Sequence, residues 1–212
     1  INFDNAATTP PFKRVVKRVL ETTEYYGSIA RGDGQKSQYC SDLYEECRRY
    51  ILKYFNAPEE IYTAIFVGNT TDGLNKLSNI LINNKDDIVI TTRMEHHSND
   101  LPWRNKCDLK YGGKIIVDGA QLVPHKKICI YKKDSLENID FLVFSGHKIY
   151  APFGSGAIIG LRKDFNNNLP DTKGGGTVEY VIDNNQLWLN TPEKNEAGTP
   201  NLFGAVAIMV AM

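Results

Sequence analysis

The chain has 212 residues, and its 25 Lys and Arg residues balance its 25 Asp and Glu residues, so the net charge is zero. This balance gives no support to binding of nucleic acid or of an anionic membrane surface. No apolar run approaches the roughly 20 residues that span a bilayer, so we expect neither nucleic acid nor a membrane as a partner.

The first part of the chain is predicted to be helical. Apolar residues recur at helical spacing over 12–26 and again over 38–56, and a glycine-rich loop at 27–37 separates the two predicted helices. We divide the sequence into an N-terminal segment, 1–30, and one large domain, 31–212.

Short apolar runs then alternate with helical spacing. A helix is predicted at 74–81, and strands are predicted at 63–67, 87–91, 114–117, 140–144 and 156–160. Continuous apolar runs with helices between them are typical of a sheet that is buried on both faces. We therefore predict an α/β fold with a mainly parallel sheet flanked by helices.

The turn after the first predicted strand has features of an anion site. Residues 68–72 (GNTTD) lie between a strand and a helix, where free backbone N–H groups and the helix dipole attract negative charge. The hydroxyls of Thr70 and Thr71 add two donors. The alternative is ordinary capping of the helix by a threonine, and these residues alone leave both interpretations open.

Two ionisable side chains follow later predicted strands. Asp118 lies at the strand end where open α/β sheets bind ligands, and its carboxylate could pair with a protonated pyridine nitrogen. Lys148 directly follows a buried strand, where burial favours the neutral, nucleophilic amine that forms a Schiff base. Ser145 and His147 stand beside it and could reach a phosphate. Each has an ordinary alternative, because such an Asp often caps a turn and such a Lys is often solvated.

Adjacent histidines occur at His96 and His97. Neighbours on a helix point in different directions, and no third ligand stands at a suitable spacing, so we predict no metal site. The functional interpretation is that one imidazole lies on a flat cofactor ring. The alternative is a structural or surface pair.

Several motifs together identify a family. They are residues 4–9 (DNAATT), 69–75 (NTTDGLN), 94–99 (MEHHSN), 117–121 (VDGAQ), 144–148 (FSGHK) and 196–201 (EAGTPN). In sequence and in order they resemble the class V aminotransferase family, and within it the cysteine desulfurases and selenocysteine lyases. The resemblance implies the aspartate-aminotransferase-like fold (fold type I), with a sheet of the seven-stranded type, and pyridoxal 5′-phosphate (PLP) as the cofactor.

The resemblance also implies roles. Lys148 would carry PLP as a Schiff base and move protons at the substrate α-carbon, and His96 would stack on the ring and assist proton transfer. Asp118 would bind the pyridine nitrogen, and Gln121 would bind the phenolic oxygen. The phosphate would be held by Thr70, Thr71, Ser145, His147 and, from the neighbouring subunit of a homodimer with shared active sites, Thr199.

Two of the departures from the family pattern are whole segments that the family has and that this sequence does not match. Residues 101–117 form a stretch of only 17 residues, whereas a βαβ unit needs roughly 30, so we expect a shortened join at about 105–111. In desulfurases a small C-terminal domain supplies the nucleophilic cysteine and the arginine that binds the substrate carboxylate. We expect that domain to lie beyond the apolar stretch 203–212. The cysteines that do not match the nucleophile are Cys40, Cys47, Cys107 and Cys129.

The leading interpretation is a PLP-dependent desulfurase that converts L-cysteine to L-alanine and an enzyme persulfide, with a possible sulfur-acceptor protein. One alternative is a class V aminotransferase, or another PLP-dependent lyase or racemase that acts on a small amino acid. Another is a non-catalytic, PLP-binding or dimerising fragment. The cysteines lack CxxC spacing, and the first ten residues lack a signal pattern, which indicates reduced thiols in a cytoplasmic protein.

Overall fold

The computed structural model describes residues 4–30, 32–83, 86–87, 89–91, 94–104, 106, 113–135, 137–183 and 185–212. Within these ranges the helices are α1 (Lys13–Thr23), α2 (Gln35–Tyr54), α3 (Thr70–Leu81), α4 (His97–Asp100), α5 (Arg162–Asn167) and α6 (Leu202–Ala211). Short 3₁₀ helices span Leu101–Trp103, Gly146–Lys148 and Glu193–Asn195. The strands are β1 (Tyr62–Val67), β2 (Ile116–Asp118), β3 (Phe141–Ser145), β4 (Gly156–Leu161), β5 (Val178–Ile182) and β6 (Asn185–Trp188).

A four-stranded sheet in the order β1–β4–β3–β2 forms the centre of the domain. Strand β4 runs antiparallel to both of its neighbours, and β2 runs parallel to β3. Therefore β1, β3 and β2 all point in the same direction. Gly156, the first residue of β4, pairs with both Val67 and Ser145, the last residues of β1 and β3. This register places the carboxyl ends of three strands at one edge of the sheet.

Helices pack on this sheet through their buried faces. The buried face of α2 includes Leu43, Cys47 and Ile51, and this helix packs on β1 and on α6. Helix α3 packs on β1, β3 and β4, and it approaches closely because Gly73 has no side chain. A Cβ atom at Gly73 would lie 2.5 Å from a methyl carbon of Val143. The start of α3 is therefore held directly over the carboxyl ends of the strands.

The structure confirms the α/β prediction and corrects its details. The predicted strand at 156–160 is present, but it runs antiparallel, so the sheet is mixed. Only ten residues, 146–155, connect β3 to β4, whereas a parallel connection needs a crossover of about a dozen or more. No strand is present among the described residues of the predicted strand at 87–91, and Ile88 lies outside the described ranges. The β5–β6 hairpin was not predicted.

The predicted helices are present with small shifts of their ends. Helix α1 lies within the predicted range 12–26, α2 begins at Gln35 rather than at residue 38, and α3 begins at Thr70 rather than at residue 74. The predicted shortened join at about 105–111 falls on residues of which all but Lys106 lie outside the described ranges. Within those ranges, no helix combines the length and apolar character that crossing a membrane requires.

Candidate active site

A cavity of about 910 Å³ opens at the edge of the sheet where β1, β3 and β2 end. The N-terminal segment contributes Ala6 and Ala7 to its wall, and Pro152 closes another side. Its lining includes eight of the nine residues that the sequence nominates for the site: Thr70, Thr71, His96, Asp118, Gln121, Ser145, His147 and Lys148. Residues that are up to 78 positions apart in sequence therefore meet in one place.

Two pairs of hydroxyl groups line the α3 end of the cavity. The Thr70 and Ser145 oxygens are 2.6 Å apart, and the Thr70 N–H also donates to the Ser145 hydroxyl at 2.8 Å. The Thr71 and Ser98 oxygens are 2.8 Å apart. Because one hydroxyl of each pair donates to the other, the second hydroxyl of each pair keeps its proton for an outside acceptor. This end of the cavity can therefore donate hydrogen bonds to an anion.

Side chains also cap the N-terminus of α3. The Asn69 carboxamide oxygen accepts the Asp72 N–H at 2.9 Å, and the Asp72 carboxylate accepts the Gly68 N–H at 2.7 Å. Asn69, rather than a threonine, is thus the N-terminal cap. The Thr71 N–H has no recorded partner in the part of the chain that the structure describes. An N–H group at the positive end of a 12-residue helix is a favourable donor to an anion.

Asp118 ends β2 and is half-buried. One of its carboxylate oxygens, Oδ1, accepts the Ala120 N–H at 3.0 Å, and the Gly119 N–H donates to the Val143 carbonyl at 2.7 Å. A Cβ at Gly119 would lie 2.7 Å from the Leu142 side chain and 3.1 Å from the Val143 carbonyl oxygen. Glycine at this position therefore lets the chain turn tightly after Asp118 and fixes the carboxylate at the cavity wall.

Lys148 lies in the 3₁₀ helix that follows β3. The Gly146 N–H donates to the Ser155 carbonyl at 2.7 Å, and the Ala151 N–H returns to the Gly146 carbonyl at 3.0 Å. These bonds turn the chain sharply, so both His147 and Lys148 line the cavity. Burial and, to a smaller extent, the nearby Lys148 ammonium lower the pKa of His147 below its usual value of 6.5.

His96 lies at the cavity mouth, directly before α4. Its Nδ1 accepts the Ser98 N–H at 3.1 Å, so in the neutral ring the proton resides on Nε2. The His97 ring is 6.0 Å away and tilted by 47°. Among the described residues, no group of three or more His, Cys, Asp or Glu side chains is placed to hold a metal ion.

Comparisons with known proteins decide the family. The sequence matches the family described as aminotransferase class-V over residues 1–112 and 105–212. This chain belongs to that family. Its members are generally PLP-dependent. The two matched segments meet in the stretch where we predict a shortened join.

Individual relatives agree with the family match. The cysteine desulfurase of Wigglesworthia glossinidia brevipalpis is 30% identical over 270 aligned positions that cover 98% of this chain. The probable cysteine desulfurase of Borreliella burgdorferi is also 30% identical and is matched over all of this chain. Both alignments are longer than the chain's 212 residues, so some positions of these relatives have no counterpart here. The chain spans 64% of the length of each of these two relatives.

Solved structures show the same fold. The apo cysteine desulfurase of Thermococcus onnurineus NA1 has a TM-score of 0.86 and 27% identity, and the match covers 99% of this chain and 65% of that one. The cysteine desulfurase CsdA of Escherichia coli has a TM-score of 0.78 at 23% identity, and that match covers 98% of this chain and 65% of that one. The first match supports the family, and the second supports the fold alone.

Thr199 does not line the main cavity. It is exposed and lines a neighbouring pocket of about 280 Å³, which shares Gly68, Gly154 and Ser155 with the main cavity. The predicted role of Thr199 in a neighbouring subunit stays a prediction.

The Thr199 segment is anchored by a buried ion pair that the sequence did not reveal. The Arg48 guanidinium donates two bonds to the Glu196 carboxylate, at 2.9 and 3.0 Å, and packs against the rings of Tyr44 and Phe66. The Phe66 N–H and the Tyr44 hydroxyl complete the carboxylate's partners. Burial, and then the Glu196 charge, raise the pKa of Tyr44 well above its usual value of 10.0. The sequence did contain an indication of this pair, because a charged residue, Arg48, falls on the apolar face of α2.

Proposed function

We propose that this protein is a PLP-dependent enzyme of the cysteine desulfurase type, which takes the sulfur of L-cysteine and leaves L-alanine and an enzyme persulfide. One observation carries the proposal. A single cavity collects the Lys148 amine, the Asp118 carboxylate, the His96 imidazole and a hydroxyl-lined helix N-terminus. The names of two relatives support the reaction, since they match over 98% or more of this chain and are named cysteine desulfurase and probable cysteine desulfurase.

The chemistry of the cavity fits PLP. The hydroxyls of Thr71 and Ser98 and the Thr71 N–H are suited to the phosphate, together with the His147 ring. In the described residues only Oδ1 of Asp118 has a recorded partner, which leaves Oδ2 for a protonated ring nitrogen. The Lys148 amine is a group that can bind an aldehyde covalently. When bound, PLP supplies an electron sink for the substrate α-carbon.

The chain's own residues would then orient groups and move protons. The negative Asp118 carboxylate would stabilise the positive charge of the ring nitrogen, which strengthens electron withdrawal. The Lys148 amine would take the proton from the substrate α-carbon and return it later. His96 would present Nε2–H because its Nδ1 accepts the Ser98 N–H. The proposal is supported because these side chains line one cavity at the carboxyl ends of the strands.

The persulfide needs a thiolate, and no described cysteine is suited to form it. Cys40 and Cys47 are buried, and burial raises the pKa of Cys47 to about 12. Cys129 is exposed but does not line the cavity. A reactive cysteine has a lowered pKa and an accessible sulfur. We therefore assign the sulfur-accepting thiolate to none of these three residues.

Other PLP reactions use the same kinds of group. Transamination, racemisation or another elimination would also need Lys148 and Asp118, and the products separate these reactions from desulfuration. A second candidate, a chain that binds PLP or dimerises without turnover, is favoured by one observation. The cysteines that the structure describes supply no thiolate to the cavity.

The deciding experiment is borohydride reduction of the purified protein with PLP, followed by mass spectrometry. We expect one reduced PLP on the peptide that contains Lys148, and none in Lys148→Gln. In a separate sample that is not reduced, incubation with L-cysteine should release alanine and leave a persulfide that a thiol reagent traps. Absence of the adduct from the wild-type protein would overturn the PLP proposal. An adduct without alanine would favour the second candidate.

We also propose a homodimer with shared active sites. Tyr180, Val181, Ile182 and Leu187 of the β5–β6 hairpin are 43–66% exposed, and apolar clusters of this kind often mark a protein interface. Thr199 and Gly174–Gly176 lie on the surface near the cavity. Mixing Lys148→Gln with Thr199→Ala tests the idea, because a mixed dimer would restore one complete site. No recovery on mixing two weakened variants would contradict shared sites.

The proposal also includes the protein's cellular location and a sulfur acceptor. Cys40, Cys47 and Cys129 are free thiols, which supports a reducing compartment such as the cytoplasm. A persulfide product calls for a sulfur-acceptor protein with a reactive thiol. Cell fractionation and transfer of labelled sulfur to co-purified proteins test these two points, and labelled sulfur that leaves only as free sulfide would exclude the acceptor.

A further inference from the structure

We propose that Thr9 is a positioning residue for Lys148. It holds the Lys148 turn, defined as residues 146–151, in the geometry that a cofactor aldehyde requires. The inference rests on the proposed PLP site, and it assigns a task to the N-terminal segment. Thr9 itself does not line the cavity, whereas Ala6 and Ala7 of the same segment do.

Thr9 binds the backbone on both sides of Lys148. Its N–H and its hydroxyl both donate to the carbonyl oxygen of His147, at 2.8 and 2.9 Å. The same hydroxyl accepts the N–H of Tyr150 at 2.7 Å. The Thr9 side chain is buried, with 5% of the residue exposed. One hydroxyl therefore joins the residue before Lys148 to the residue two positions after Lys148, and we call this arrangement the Thr9 bracket.

The bracket closes a turn that has an unfavourable backbone conformation. Tyr150 has a φ of +65°, which is uncommon for a bulky residue. Its ring stacks on Phe12 with centroids 4.2 Å apart, and its carbonyl accepts the Phe12 N–H at 3.4 Å. Thr8, whose hydroxyl lies 3.2 Å from His147 Nδ1, and Phe12 thus also bind the turn, and the Thr9 hydroxyl accepts the N–H of the half-buried Tyr150.

The Lys148 side chain has no comparable support of its own. Among the described residues no hydrogen bond or ion pair of its ammonium group is recorded. Its position in the cavity is therefore set by the backbone of the turn. Because covalent binding depends steeply on the placement of the reacting atoms, the loss of the bracket should weaken cofactor binding more than it weakens the fold.

Two substitutions at Thr9 and one control separate positioning from a general structural role. Thr9→Val keeps the shape and removes the hydroxyl, and Thr9→Ser keeps the hydroxyl. Thr22→Val is the matched control, because the Thr22 hydroxyl is also buried and donates to a carbonyl, that of Arg18 at 2.8 Å, within α1. Urea unfolding of each variant measures its global stability.

The first readout is the bound cofactor. We expect Thr9→Val to weaken PLP binding about tenfold, equivalent to about 1.4 kcal/mol. It should also lower the visible circular dichroism per absorbance unit, because this ratio reports a fixed orientation of the chromophore. Thr9→Ser should return both values to within about twofold of the wild type, and Thr22→Val should leave both unchanged.

The second readout needs no cofactor. Amide exchange followed by NMR should be faster at Tyr150 in Thr9→Val than in the wild type, since that N–H loses its acceptor. If the wild type forms no visible PLP band, the proposed function is wrong, and exchange at Tyr150 still decides whether the bracket exists. Equal dichroism and affinity in Thr9→Val and the wild type, or equal losses in Thr22→Val, would overturn the inference.

Discussion

Two regions of the central sheet differ in how they are built. All six residues of β4 are buried. On either side of it, all of β3 and all but one residue of β1 are buried as well. The β2 edge, by which we mean β2 with the described residues of 86–104 beside it, has a three-residue strand that is only half-buried. Apolar side chains of this region are exposed, among them Ile90 at 79% and Met94 at 92%.

The difference shows what an apolar run needs in order to become a strand. Residues 87–91 have the composition of a buried strand, but the structure shows none among those it describes. A strand must pair its backbone N–H and C=O groups with a neighbouring strand. In the sequence, the residues of the β2 edge flank positions 105–112, where the two family matches overlap, and relatives have additional residues that this chain lacks. An apolar composition alone is therefore not sufficient for a segment to pair as a strand in the sheet.

The largest expected effect lies on the β1 side, at the buried Arg48–Glu196 pair. Glu196→Ala would leave the buried guanidinium with only the half-exposed Glu45 carboxylate, 3.1 Å away, and would remove the acceptor of the Phe66 N–H and the Tyr44 hydroxyl. We therefore expect a loss of about 3–5 kcal/mol in the free energy of unfolding, measured by urea denaturation. The matched control is Arg104→Ala at the β2 edge, where the Arg104–Asp100 pair is exposed. We expect no measurable change there. Similar losses in the two variants would contradict the comparison.

Matched truncations of isoleucine test the strands themselves. Ile158 is fully buried in β4, and Ile116 is half-buried in β2. Ile158→Ala should cost about 2–5 kcal/mol through lost burial and a residual cavity, and Ile116→Ala should cost about half of that or less because its surroundings can relax. Calorimetry and urea unfolding measure both. An equal cost would show that the β2 edge is packed as tightly as the centre.

Adding one methyl group probes the same contrast. A Cβ at Gly160 of β4 would lie 2.3 Å from the Phe141 ring, whereas a Cβ at Gly113, just before β2, would meet nothing within 4 Å. We expect Gly160→Ala to cost about 1–3 kcal/mol through overpacking and Gly113→Ala to be neutral or slightly stabilising. The shift of the thermal unfolding midpoint measures the difference. If Gly160→Ala were as stable as the wild type, the buried strands would have to shift to make room for the methyl group.

The smallest expected effect concerns pH. The pKa of His147 is lowered in the folded protein, so the unfolded chain binds more protons near the usual histidine pKa of 6.5. Its contribution to stability is therefore complete above pH 6.5 and is lost as the pH falls through the folded pKa. In His147→Gln, unfolding stability should fall less between pH 7.5 and pH 5 than in the wild type. Parallel pH profiles for the two proteins would contradict this assignment.

Much of the site could be predicted because its residues stand in short motifs at strand ends. Asp118, Ser145 and Lys148 follow directly on apolar runs, and the chain direction of parallel strands brings such residues to one edge. The eight nominated residues that line the cavity all stand in these motifs. Thr9 was inside a motif but received no role, since its task depends on Tyr150, which is 141 positions away.

The sequence by itself determined the family, the α/β class, the main helices and most of the candidate site, because local periodicity and short motifs are properties of neighbouring residues. Only the tertiary structure decided the antiparallel direction of β4, the buried pairing of Arg48 with Glu196, the Thr9 bracket around Lys148 and the missing strand at the described residues of 87–91. These features arise from contacts between distant segments. Their energies depend on burial and on available partners, which no local pattern records.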